Sequence, residues 1–116
     1  MQTPVAPRVT RFLFAANETL HAPHLIDLEV TQVLRRYARS RVISDERGAE
    51  ALTDLVDFPL RRYPHFVLLE RIWRLRHSLT AYDAAYLALA EALDAPLVTR
   101  DSALAKVGGQ VRVEVI

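Results

Sequence analysis

Apolar positions along this chain change from helical to extended spacing several times, and each change marks a boundary between elements. Val5, Val9, Phe12 and Leu13 repeat at helical spacing and predict a short helix that breaks off before Asn17. Thr19 to Ala22 then reads as a brief extended segment, and Pro23, at a first helical position, opens a helix to about Arg39. Ser44 followed by Asp45 and Glu46 has the form of an N-cap with an acidic first turn, so a second helix runs to about Asp57. Leu60 to Tyr63 is short, extended and closed by Pro64. Leu68, Leu69, Ile72, Trp73 and Leu75 predict an amphipathic helix over Val67 to His77, whose apolar side reads first as core and otherwise as the wall of a partner groove. Thr80 caps the most apolar helix of the chain, with Ala81, Ala84, Ala85, Leu87, Ala88, Leu89, Ala90, Ala92 and Leu93 nearly all round it. Pro96 to Thr99 is a buried strand, Ser102 to Lys106 a helix, Gly108-Gly109 a turn and Val111 to Val115 an alternating strand. Strands interleaved with helices imply an α/β fold with a mostly parallel sheet covered on both faces.

Composition narrows the class. With 116 residues, 51% hydrophobic and 25% charged, the chain fits one globular domain rather than a disordered segment. It contains no apolar run long enough to span a bilayer, and Met1 to Pro7 lacks the layout of a signal peptide, so a cytoplasmic setting is the expectation. The chain has no cysteine, which excludes disulfides and thiolate metal sites. His21, His24, His65 and His77 show no paired ligand spacing, which argues against zinc and leaves oxygen ligands and a hard cation. A net charge of +1 gives no general attraction to nucleic acid, yet all 15 basic residues except Lys106 are arginine. Arginine reads phosphate through its planar fork; codon bias in a GC-rich genome explains the same preference without any function.

Three carboxylates stand out by position. On a helical wheel Ile26, Val30, Val33, Leu34 and Tyr37 form one stripe, and Glu29 falls within its margin, facing the core as part of a buried ion pair or of a site. Asp27 lies at the polar edge and reads as a solvated charge. Asp83 sits in the first turn of the Thr80 helix, where it complements the helix dipole. Because that helix is apolar all round, its acidic end emerges at a crevice or is buried. Asp101 follows the strand Leu97-Val98-Thr99 and in isolation reads as the N-cap of the next helix, yet in parallel sheets sites lie beyond the carboxyl ends of strands. Tyr82 and Tyr86, one turn apart, read as packing residues rather than base-stacking platforms.

The runs Leu20-His21-Ala22-Pro23-His24-Leu25-Ile26-Asp27-Leu28-Glu29-Val30, Leu79-Thr80-Ala81-Tyr82-Asp83-Ala84-Ala85-Tyr86 and Leu97-Val98-Thr99-Arg100-Asp101 together resemble a VapC-type PIN-domain toxin, over nearly the whole chain and in order. The resemblance implies a compact three-layer α/β/α ribonuclease of a type II toxin–antitoxin pair, a homodimer that binds a cognate antitoxin protein and cuts RNA, often tRNA or rRNA. It implies Glu29, Asp83 and Asp101 as catalytic carboxylates holding Mg²⁺ or Mn²⁺, with Thr99 and Arg100 as weaker candidates for substrate contact.

One part of the family pattern is not matched. Members begin with a hydrophobic strand ending in Asp-Ala-Ser or Asp-Thr-Ser, which supplies the central strand and the leading metal ligand. Here Met1 to Arg11 holds no apolar strand, and the first carboxylate is Glu18. The expectation is therefore a single PIN-like domain over residues 1–116, N-terminally truncated relative to the family, without its central strand and with a compromised site. Two functions follow: a divalent-metal-dependent endoribonuclease, or an inactive remnant that keeps antitoxin binding or self-association.

Overall fold

The computed structural model of the chain describes residues 12–14, 20–99 and 113–115. Among these, β1 (Phe12–Phe14), β2 (Leu20–Pro23), β3 (Leu60–Tyr63), β4 (Leu97–Thr99) and β5 (Val113–Val115) form one sheet in the order β3-β2-β1-β4-β5. The helices are α1 (Leu25–Arg39), α2 (Asp45–Asp57), α3 (Leu69–Arg74), which follows a 3₁₀ turn at Phe66–Leu68, and α4 (Ala81–Leu93). β2 pairs parallel with β3 and β4 parallel with β5, while β1 runs antiparallel to both β2 and β4. Four strands thus share one direction, and the expected three-layer α/β/α fold with a mostly parallel sheet is present. No helix among the described residues is long and apolar enough to cross a membrane.

The middle of the sheet corrects the sequence reading. Phe12 and Leu13, taken there as part of a helical stripe, lie in β1, so the central position is filled rather than vacant. The reason is non-local: between β2 and β4 two rows of backbone N–H and C=O groups need partners, and a Phe-Leu-Phe run suits a pleated ribbon. Direction follows from length. Five positions separate β1 from β2, enough for a hairpin but not for a parallel crossover, which takes about a dozen or more. Phe12 therefore pairs with Val98, the middle residue of β4, and Phe14 with Leu20, at the start of β2.

Two further boundaries move. Pro23 does not open α1; it closes β2 opposite Tyr63, and the His24 N–H extends the ladder to the Tyr63 carbonyl at 2.8 Å. Proline has no N–H to give a ladder, so it suits a strand end as well as a helix start. The Leu25 N–H, one of the donors a helix leaves unpaired at its start, is taken by His65 Nε2 at 2.9 Å. The predicted Val67–His77 helix is shorter and differently turned. The 3₁₀ turn rotates the following residues so that Leu68 and Leu75 are buried and Ile72 half-buried, while Phe66, Val67, Leu69 and Trp73 face solvent. Trp73, expected in the core, is 66% exposed, with the Arg76 guanidinium 4.5 Å from its ring centroid. The α2 and α4 starts are as expected: Ser44 Oγ accepts the Arg47 N–H at 3.0 Å, and Thr80 Oγ1 the Asp83 N–H at 3.1 Å. The predicted helix at Ser102 to Lys106 and turn at Gly108-Gly109 lie outside the described residues.

The core is built around α4. Every residue from Ala84 to Ala90 is buried, and the helix packs against β2, β4 and α3 together with Ala22, Ile26, Leu68, Leu75 and Leu97. Alanine at four of those seven positions lets neighbouring backbones come close, and Tyr86, Leu87 and Leu89 fill the remaining volume.

His21 is the buried polar residue of β2. Its Nδ1 lies 2.6 Å from the Tyr63 hydroxyl, and its Nε2 is buried with no hydrogen-bond partner among the described residues. Burial, and secondarily the Arg61 charge, push its pKa below the ordinary 6.5. The unfolded chain therefore binds a proton at His21 more readily than the folded one, so stability rises with pH up to about 6.5 and is lost below it.

Leu87→Ala is expected to cost about 3 kcal/mol in urea unfolding, and an unchanged midpoint would remove Leu87 from the core. Urea melts between pH 7.5 and 5.5 should show falling stability, with a shallower fall in His21→Gln; identical pH slopes would mean that His21 does not carry the effect.

Candidate functional site

Leu25, Leu28, Glu29, Gln32 and Arg36 recur at spacings of three, one, three and four, which sets them on one stripe of α1. Together with Thr80, Tyr82 and Asp83 from the start of α4 they line an open groove of about 640 Å³. Glu29 and Asp83, carboxylates on two different helices, thus converge on one concave surface. The burial of α4 brings this about, since a helix apolar for two turns can release its polar end only where the packing stops.

Each carboxylate is held by a local device. Tyr86 is 1% exposed, so its hydroxyl proton needs an acceptor inside the protein, and it donates to Glu29 Oε1. That bond crosses from α4 to α1 and fixes one oxygen of Glu29 at the groove. Asp83 occupies the third position of α4, where its N–H is capped by Thr80 and its carboxylate sits in the favourable field of the helix amino end. The polar lining near the two carboxylates, Gln32 and Thr80, also carries oxygen donors and no imidazole or thiol. Such a set suits a hard divalent cation.

The other expected residues lie elsewhere. Asp27 is not simply solvated: Arg62 Nε donates to both of its oxygens, at 3.0 and 2.9 Å, and the same guanidinium reaches the Leu60 and Leu55 carbonyls at 3.3 and 2.8 Å. Asp27 thereby ties α1 to β3 and leaves the groove to Glu29. Thr99 is the last residue of β4, and Arg100 and Asp101 lie outside the described residues. Among the described residues no three of His, Asp and Glu are grouped to hold a metal ion. Sequence reasoning missed two lining residues. Tyr82, read as packing, is 62% exposed in the groove, unlike buried Tyr86 one turn later; its place in the first turn, ahead of the apolar stretch, was the available signal. Arg36, two turns from Glu29, was legible by the same spacing rule that placed Glu29.

A family profile described as PIN domain matches residues 3–110. Curated relatives from Mycobacterium tuberculosis include Ribonuclease VapC1, 51% identical over 90 residues that cover 77% of this chain and 68% of that protein. Ribonuclease VapC9 is 47% identical over 98 residues, covering 84% and 76%. Ribonuclease VapC12 is 38% identical over 109 residues, covering 94% and 83%. The groove lined by Glu29 and Asp83 sits in a chain whose three relatives above are each named a VapC ribonuclease, and the chain belongs to the PIN-domain family, in its VapC-type branch.

Proposed function

We propose that this chain is the ribonuclease toxin of a type II toxin–antitoxin pair, a single PIN-like domain that hydrolyses RNA phosphodiester bonds with a divalent cation, Mg²⁺ or Mn²⁺, and is restrained by a cognate antitoxin protein. The observation that supports it best is the convergence of Glu29 and Asp83 in one groove, in a family whose relatives are named ribonucleases. Glu29 and Asp83, joined by Asp101 through the family resemblance, would hold the cation. When bound, such an ion neutralises phosphate charge and makes a water nucleophilic near neutral pH.

The chain's own residues supply position. Tyr86 ties one oxygen of Glu29 to the buried helix α4, so the carboxylate needs little reordering to act. Thr80 fixes the turn that aims Asp83. Thr99 and Arg100 remain candidates for orienting Asp101 and for gripping the RNA backbone. One feature favours the second reading, an inactive protein that keeps antitoxin binding or self-association: residues 1–17 contain no carboxylate, so β1 brings no acid to the site.

Incubation of the purified chain with labelled RNA separates the two. Cleavage should require Mg²⁺ or Mn²⁺, stop with EDTA, and fall about 100-fold or more in Glu29→Gln and in Asp83→Asn. No cleavage by the unmutated protein with either ion would leave the inactive reading standing. Tyr86→Phe should lower cleavage about tenfold with little change in RNA affinity, as expected for a residue that acts through Glu29.

A further inference from the structure

The carboxylate groove continues into a second concavity. Arg36 lines both, and the second, of about 580 Å³, is walled by Arg35, Arg36, Tyr37, Arg39 and Ser40. Arg36 lies seven positions, about 10 Å along the helix axis, from Glu29. The same groove is lined by the exposed ring of Tyr82, next in sequence to Asp83, and by the exposed side chain of Leu28.

Of the seven other described arginines, five are engaged, and Arg41 and Arg61 are not. Arg47, Arg62, Arg71 and Arg74 pair with Glu50, Asp27, Glu91 and Glu70, and Arg76 lies over Trp73. Arg35, Arg36 and Arg39 form no ion pair with any described residue. Arg36 and Arg39 complement the carboxyl end of the α1 dipole, as last-turn cations do. The dipole, however, does not account for Arg36 facing the same groove as two carboxylates, nor for an aromatic ring left exposed next to Asp83.

Resting on the ribonuclease reading, we propose that Tyr82 and Arg36 are RNA-positioning residues: a base stacks on the Tyr82 ring, a flanking phosphate is held by the Arg36 guanidinium, and the strand continues over Arg35 and Arg39. A flat π-face accepts any base, and a guanidinium fork fits phosphate, so the pair recognises a single strand with unstacked bases. The carboxylates that share the groove with both anchors then face the phosphodiester that joins them. An acidic protein segment would satisfy the arginines but has no base to lay on Tyr82, which is why RNA is favoured.

The test is binding of a fluorescein-labelled 12-nucleotide single-stranded RNA to the full chain in EDTA, read by fluorescence anisotropy across a salt series. Arg36→Gln should weaken binding about tenfold and lower the slope of log affinity against log salt by about 0.7, with Arg36→Lys recovering the slope. Tyr82→Ala should weaken binding about tenfold without changing the slope, and Tyr82→Phe should bind like the unmutated protein. Both side chains are exposed, so thermal melts should be unchanged. Unchanged RNA affinity in Arg36→Gln and Tyr82→Ala overturns the proposal. So does loss of binding to an aspartate-rich peptide with RNA affinity retained, which would assign the arginines to a protein partner. The two readings fail separately: the expected affinity losses without cleavage by any form remove the nuclease and keep the track, while cleavage with unaltered affinities keeps the nuclease and removes the track.

Discussion

A phenol sealed in an apolar core has one proton that must be accepted, and in this chain the acceptor is Glu29. That single bond joins the most buried helix, α4, to the helix carrying the carboxylate, and it is the constraint on which the site depends. Turning either side chain away breaks this bond and costs stability. The carboxylate is therefore held by the stability of the core itself. Asp27, two positions earlier, is drawn off the other way by Arg62, so neighbouring acids on α1 are sorted between structure and site by the partner each one finds.

The same helix sets the groove's other side. Since Ala84 to Ala90 are enclosed, solvent meets α4 only at its two ends, and the amino end carries Thr80, Tyr82 and Asp83. Capping and chemistry coincide there: the hydroxyl that satisfies the Asp83 N–H also fixes the direction in which its carboxylate leaves the helix.

What was legible in the sequence was local. The Ser44 and Thr80 caps, the apolar encirclement of α4 and the short β3 strand are each written within a few residues, and each stands as expected. Glu29 and Asp83 were legible as candidates because a carboxylate on an apolar stripe and one at the head of a buried helix are locally odd. What was not legible depends on partners far away. Helical spacing at Phe12 and Leu13 lost to the unpaired ladder groups of β2 and β4, which no window around residue 12 contains. Trp73 left the core because a 3₁₀ turn at Phe66–Leu68 shifted the phase of the helix after it. The Tyr86 to Glu29 bond spans 57 positions, and nothing in either neighbourhood names the other.

The reversed middle strand has a bearing on how the chain comes into being. β1 meets β2 through a short connection, so that hairpin can form as soon as both strands exist. Its other neighbour, β4, lies more than eighty positions later in the chain. At a synthesis rate of roughly 5–20 residues per second, the second edge of Phe12–Phe14 waits on the order of ten seconds for its partner. Through that interval a Phe-Leu-Phe ribbon presents open backbone groups, the kind of edge that recruits other chains. Of the five described strands, the one that completes the sheet is thus the first to be made and among the last to be fully paired, which makes the rate at which the remaining chain emerges a determinant of how much folded protein is obtained.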